Sequence, residues 1–259
     1  MPHTIAIASG KGGVGKTTSA INLAHAMSRH DKRVLLIDGN LSTPNVHVYL
    51  GWPILNKTLV SVLKREATLK EAIYKHHSGL RILPSISSAS ELRSLKSDRL
   101  SELVQDLDGE ADIILLDSAA GLGRETLGAL DACDEVLIVT NPELGAVLDA
   151  QKTVQLAHEL GKTVLGVVLN KVRRDKHELP IEEVEKLLDL PVIGVVPFDD
   201  NIRKALRKNE HPITHSRPYS KSANSYEELA EILLGHKYLE KVMRKKGVKE
   251  RVLRLLGLA

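Results

Sequence analysis

Cysteine and aromatic residues are what this 259-residue chain has least of. The single cysteine, Cys133, excludes an intrachain disulfide and any cysteine-rich metal or iron–sulfur site within one chain, and it fits a reducing compartment. With aromatics at 3%, the core must be assembled from Val, Ile, Leu and Ala, the residues of a buried parallel sheet. No apolar run reaches the roughly 18 residues that a membrane-spanning helix requires. No charged-then-apolar leader precedes the first strand pattern, so the cytoplasm is the expected location.

Net charge is +3, and its distribution says more than its total. Residues 236–259 hold eight Lys/Arg against Glu240 and Glu250; eight less two leaves +6 there, and therefore −3 on the rest. A mildly acidic body argues against a general nucleic-acid binder. Composition turns basic near Gly235, which divides the chain into a domain over 1–235 and a basic tail over 236–259.

Short apolar runs alternate with longer helical patterns. Strands are expected at 3–8, 33–37, 80–83, 112–116, 135–140, 163–169 and 192–196, with helices at 17–29, 142–160 and 181–188 among the segments between them. Strand–helix alternation implies parallel pairing through right-handed crossovers. The expected fold is a doubly wound, mostly parallel α/β sheet with ligands at the carboxyl ends of its strands.

The stretch Gly10-Lys11-Gly12-Gly13-Val14-Gly15-Lys16-Thr17-Thr18 follows the first strand, opens a helix and satisfies G-x-x-x-x-G-K-S/T. Glycines let the backbone wrap closely enough for successive N–H groups to face phosphate oxygens, and the helix N-terminus adds its positive dipole end. Lys16 is placed for the β- and γ-phosphates and the Thr17 hydroxyl for Mg²⁺.

Lys11, directly after the first glycine, makes this stretch resemble the deviant phosphate loop of the MinD/ParA family of ATPases. The resemblance to the MinD branch runs from the first strand to about Lys221 and again at the C-terminus. It implies that Lys11 reaches across a dimer interface to the partner's ATP, so that the triphosphate holds a homodimer together. Relatives that assemble iron–sulfur clusters or target tail-anchored proteins use cysteine pairs, which this chain lacks.

Leu36-Ile37-Asp38-Gly39-Asn40 is similar to the family's first switch, which usually reads D-x-D. Asp38 matches the first aspartate; Asn40 stands where the second orients or activates the attacking water. An amide can position water but cannot accept a proton, which implies slow hydrolysis; equally, another group could substitute. Asp117, after the strand expected at 112–116, is placed as a Mg²⁺ carboxylate. The segment Ser118-Ala119-Ala120-Gly121 resembles the second switch D-x-P-A-G, with Gly121 offering its N–H to the γ-phosphate. By the same resemblance Asn170 reads adenine, and the loop with Pro197 and Asp199 closes over the base. The helix after Thr140-Asn141-Pro142-Glu143 meets a regulatory partner, and Asp149 pairs with Lys11 when nucleotide is absent.

The last residues form a candidate helix. At about 100° per residue, Val248, Val252, Leu255 and Leu256 share a face with Leu253 and Leu258 at its margins, and Glu250 and Arg254 lie opposite. This is the pattern of an interfacial helix on an anionic membrane, and it is similar to the C-terminal tail of MinD proteins. The alternative is a helix docked on the body or on a partner. The resulting expectation is an ATPase with ATP and Mg²⁺ as cofactors, peripheral at the inner face of the cell membrane, positioning a division, motility or polarity factor under an unnamed regulatory partner. Two alternatives stand beside it: a ParA-like ATPase whose Arg203, Lys204, Arg207 and Lys208 touch DNA, and a scaffold that barely hydrolyses ATP.

Overall fold

A computed structural model describes residues 1–52, 55–86 and 99–235. The tail face formed by Val248, Val252, Leu253, Leu255 and Leu256 lies outside the described residues. Eight strands make one sheet: β1 (His3–Ser9), β2 (Val34–Asp38), β3 (Tyr74–Lys75), β4 (Arg81–Leu83), β5 (Ile113–Ala120), β6 (Glu135–Thr140), β7 (Thr163–Val172) and β8 (Val192–Pro197). Their order is β3-β4-β2-β5-β1-β6-β7-β8, and every pairing is parallel except β3 with β4. The fold is the expected doubly wound α/β architecture.

Period-two alternation explains how helices come to cover both faces. Along β1, Ile5 and Ile7 join Ala20, Leu23 and Met27 of the helix Lys16–Ser28 and Tyr226 and Leu229 of the helix Lys221–Leu233. Ala6 and Ala8 point the other way, onto Val147, Ala150 and Val154 of the helix Leu144–Glu159. Along β5, Leu115 enters the first of these clusters, while Ile114 and Leu116 pack with Leu100 and Leu103 from the helix Arg99–Gln105. Each fully buried Ile, Leu, Val or Met side chain among them contributes about 1.5–3 kcal/mol relative to exposure.

The strands extend further than the sequence pattern predicts. β5 continues through Asp117 to Ala120, because Asp117 still pairs with Ile7 of β1 and Asp38 of β2. β7 likewise carries Asn170 and Lys171 inside the strand. Asp117 is held in the ladder by pairing on both sides, whereas Asn170 and Lys171 lie where the β7–β8 register shifts between Leu169 and Val172. Gly235, at φ 81°, follows the C-cap Leu234 of the last described helix, Lys221–Leu233.

Candidate functional site

β1 lies centrally, and successive connections leave it first toward β2 and β5, then toward β6 and β7. The crevice beyond its carboxyl end is where a doubly wound sheet binds ligands, and residues 10–15 fill that position between β1 and the helix Lys16–Ser28. Two glycines there are dictated by geometry. A methyl group at Gly10 would lie 2.0 Å from the Asp149 carbonyl oxygen, so the loop's entry passes against the backbone of the helix Leu144–Glu159. Gly15, at φ 97° and ψ 26°, caps the following helix in the left-handed region, and a methyl there would meet Asn170 Nδ2 at 2.2 Å.

Lys16 and Thr17 converge on one carboxylate. The buried Lys16 ammonium lies 3.3 Å from Asp117 Oδ1 and also donates to the Ser118 carbonyl, while the Thr17 hydroxyl donates to Asp117 Oδ2 at 2.6 Å. Asp38, directly across the β2–β5 ladder from Asp117, is fully buried. It accepts N–H groups from Asn40 at 3.2 Å, Asn45 at 3.2 Å and Val46 at 3.1 Å. Burial and the neighbouring Asp117 charge nevertheless raise its proton affinity well above the ordinary carboxylate range, the N–H donors and Lys16 offsetting only part. The arrangement holds two carboxylates and a hydroxyl around a single buried ammonium.

Several expected residues meet different partners from those the sequence implies. Asn40 turns its carboxamide into its own loop: Nδ2 donates to the Thr43 carbonyl at 2.8 Å, and Oδ1 accepts from Thr43 N–H and hydroxyl at 3.3 and 3.2 Å. The Gly121 N–H donates to the Ser9 carbonyl at 3.1 Å. Asn170 is 2% exposed and braces the phosphate loop, its Nδ2 donating to the Val14 carbonyl at 2.8 Å and its Oδ1 accepting the Lys171 N–H at 2.9 Å. Asp199 caps the helix Asp200–Lys208 through the Asn201 N–H at 2.8 Å and accepts the Ser222 hydroxyl at 2.7 Å. Burial pushes its carboxyl up, but these bonds outweigh burial and hold it below the usual range. Pro197 closes β8 opposite Val172.

Lys11 is exposed, and its ammonium makes no ion pair among the described residues. The Asp149 carboxylate pairs instead with Lys152 at 3.1 Å, one helical turn away. Gly12 and Gly13 are exposed, whereas Val14 and Thr18 are buried beneath the loop. Two further residues brace the loop: Lys171 Nζ donates to the Gly13 carbonyl at 2.6 Å, and Asn141 Nδ2 to the Val14 carbonyl at 3.3 Å and to the Asn170 carbonyl at 2.9 Å. The two contacts to the loop join residues more than a hundred positions apart, and the one between Asn141 and Asn170 residues 29 apart, all beyond the reach of local spacing. Among the described residues no helix is long and apolar enough to cross a membrane.

A glycine loop wrapping the start of a helix, with its lysine and hydroxyl on a strand-end carboxylate, defines a phosphate-loop nucleotide-binding protein. The family model described as the CobQ/CobB/MinD/ParA nucleotide binding domain matches residues 5–213. The chain belongs to this family, in its MinD-like branch. It is 36% identical to an uncharacterized ATP-binding protein of Methanocaldococcus jannaschii, over 95% of this chain and 93% of that one. Its fold is similar to the septum site-determining protein MinD of Pyrococcus horikoshii complexed with Mg-ADP (TM-score 0.84, 34% identity, 90% of this chain and 96% of that one). It is also similar to the MinC:MinD cell division protein complex of Aquifex aeolicus (TM-score 0.81, 27% identity, 90% and 96%).

Proposed function

We propose that this chain is an ATPase that dimerises around ATP, binds an anionic membrane surface reversibly through residues 236–259, and positions a division, motility or polarity factor. The observation that carries the reading is the convergence of Lys16 and Thr17 on Asp117 beside the buried Asp38. Hard oxygens are what Mg²⁺ takes, and a divalent cation held by Thr17, Asp117 and Asp38 relieves the repulsion that raises the proton affinity of Asp38. Bound there, magnesium neutralises charge on the transferred phosphoryl group.

The chain's own groups do the rest. Backbone N–H groups over 10–18 bind the phosphates, and Lys16 leaves Asp117 for the β/γ-oxygens. The exposed Lys11 reaches the ATP of a second copy. Gly121 presents its N–H to the γ-phosphate by exchanging the Ser9 carbonyl for it. Asn40, once released from Thr43, positions the attacking water without accepting its proton, which makes hydrolysis slow. Base reading by Asn170, under the loop of Pro197 and Asp199, demands that the buried carboxamide be shared with Val14.

Joining two weak lipid-binding tails in one ATP-held dimer makes the second insertion intramolecular, raising avidity by roughly 10²–10⁴. The nucleotide then acts as a switch for location. Complex formation between the Aquifex aeolicus neighbour and MinC supports a protein regulator for this chain as well. The test is co-sedimentation with anionic liposomes in ATP and in ADP, comparing the full chain with one ending before Gly247. Pelleting that requires both ATP and the tail is the expected result; a chain that stays soluble throughout makes the tail a docking helix.

One observation favours a second reading, a dimer that binds DNA through phosphates. Arg203, Lys204, Arg207 and Lys208 are exposed along the helix Asp200–Lys208, and among the described residues only Arg203 of the four has an ion-pair partner, Asp200 at 3.8 Å. DNA binding that needs ATP and weakens steeply with salt is what this reading predicts.

A further inference from the structure

Two loops flank the phosphate site, residues 39–45 after β2 and residues 121–123 after β5. They are joined at their base by the Gly39 N–H donating to the Asp117 carbonyl at 2.9 Å. Farther out, a second link spans 83 residues of sequence. Ser42 donates its backbone N–H to Glu125 Oε2 at 3.2 Å and its hydroxyl to Glu125 Oε1. Both carboxylate oxygens are thus engaged by one serine.

Glu125 is well placed to hold this position. It sits in the first turn of the helix Arg124–Asp131, where the helix dipole favours a carboxylate and Gly123 supplies no side-chain cap. The next residue, Thr126, is buried and donates its hydroxyl to the Ala119 carbonyl at 3.2 Å, tying the helix start back to the end of β5. On the other side, Ser42 lies within the turn closed by Asn40 and Thr43. A pull on the residues around Gly121 is therefore transmitted through Glu125 to the turn that holds Asn40.

We propose that Glu125 is a positioning residue that latches the Asn40 loop to the Gly121 loop, so that the two segments flanking the phosphate site open and close together. The role rests on the reading of these loops as nucleotide-responsive. Ser42 and Glu125 act as one unit. Losing the Glu125 carboxylate removes this link between the loops, losing the Ser42 hydroxyl removes one of its two bonds, and losing both does no more harm than losing Glu125 alone.

Amide hydrogen exchange on the full chain tests this directly, because the Ser42 N–H is itself one of the bonded groups. Without nucleotide, Glu125→Ala speeds exchange of Ser42 by about tenfold, while β2 and β5 keep their protection. With Mg²⁺ and a non-hydrolysable ATP analogue, wild type slows exchange in both loops, and Glu125→Ala slows it around Gly121 alone. In steady-state hydrolysis, Glu125→Ala lowers kcat several-fold with KM for ATP within about twofold; Ser42→Ala, which keeps the backbone N–H to Glu125, lowers it by less, and the double variant is no worse than Glu125→Ala. Glu125→Asp, which keeps the carboxylate, restores part of the loss. Unchanged exchange at Ser42 in Glu125→Ala, or additive losses in the double variant, overturns the latch. A wild type that binds no nucleotide overturns the proposed function instead, and the nucleotide-free exchange still decides the latch.

Discussion

Lowering the pH from 7.5 to 4.5 will remove a large part of this protein's stability, through histidines that fold as neutral rings. His25 is 3% exposed with its Nδ1 in a 2.8 Å bond to the Thr214 hydroxyl, His76 is 2% exposed beside Ser78, and His211 is buried beside the Ile202 carbonyl. Burial drives the pKa of each from 6.5 down to about 4, aided at His25 by the positive charge of His215 and Arg29 and at His76 by that of His77. In the unfolded chain these rings take up protons near pH 6.5; in the folded protein they resist until about pH 4. Between those values the unfolded state binds more protons, so stability is fully present above pH 6.5 and falls as pH drops toward 4. At 1.36 kcal/mol per pH unit, each ring accounts for about 3 kcal/mol over the window; allowing half of that for water entry and relaxation, the three together account for about 5 kcal/mol. Such a loss is comparable to the whole stability of a marginal domain.

Asp38 acts in the opposite sense, since its raised proton affinity favours the folded state as pH falls. The Asp112 carboxyl, held at about 2 by Arg33, titrates below the window. The assay is urea unfolding without nucleotide at half-unit steps from pH 7.5 to 4.5, on wild type, His76→Gln and His211→Gln. Each substitution flattens the slope of stability against pH, whatever it does to stability at pH 7.5. A flat profile for wild type, or slopes unmoved by both substitutions, refutes the reasoning.

Gly15→Ala forces a side chain into the left-handed region and against Asn170; it lowers stability by about 1–3 kcal/mol in thermal unfolding and weakens binding of a fluorescent ATP analogue. Asn170→Ala leaves the Val14 carbonyl without its buried donor at the same loop, a loss of about 1–3 kcal/mol, and loss of nucleotide affinity beyond that of Gly15→Ala would give the carboxamide a direct part in base recognition. Asn40→Asp restores a proton acceptor in the first switch and raises phosphate release about tenfold or more in the presence of liposomes; a rate that stays level assigns the base to another group. Lys11→Ala, exposed and unpaired among the described residues, leaves stability within about 0.5 kcal/mol while abolishing the proposed ATP-dependent dimer, with light scattering as the measurement.

The phosphate loop could be read from sequence because its chemistry is local: glycines, lysine and hydroxyl must be contiguous to wrap one anion at one helix end. The aliphatic runs that became β1, β2 and β6 were legible for a similar reason, since a strand buried on both faces is written as a short continuous apolar run. Tertiary structure alone decided what those elements face. Asp117 belongs to the site because β5 lies between β1 and β2, setting it beside Asp38 across 79 residues of sequence. Asn170 is a brace because β7 brings its carboxamide beneath Val14, and Glu125 meets Ser42 because two loops leave neighbouring strands on the same side. Local sequence carries backbone preference and hydrophobic period; partners separated by scores of residues are chosen by strand order and packing, which no short window of sequence contains.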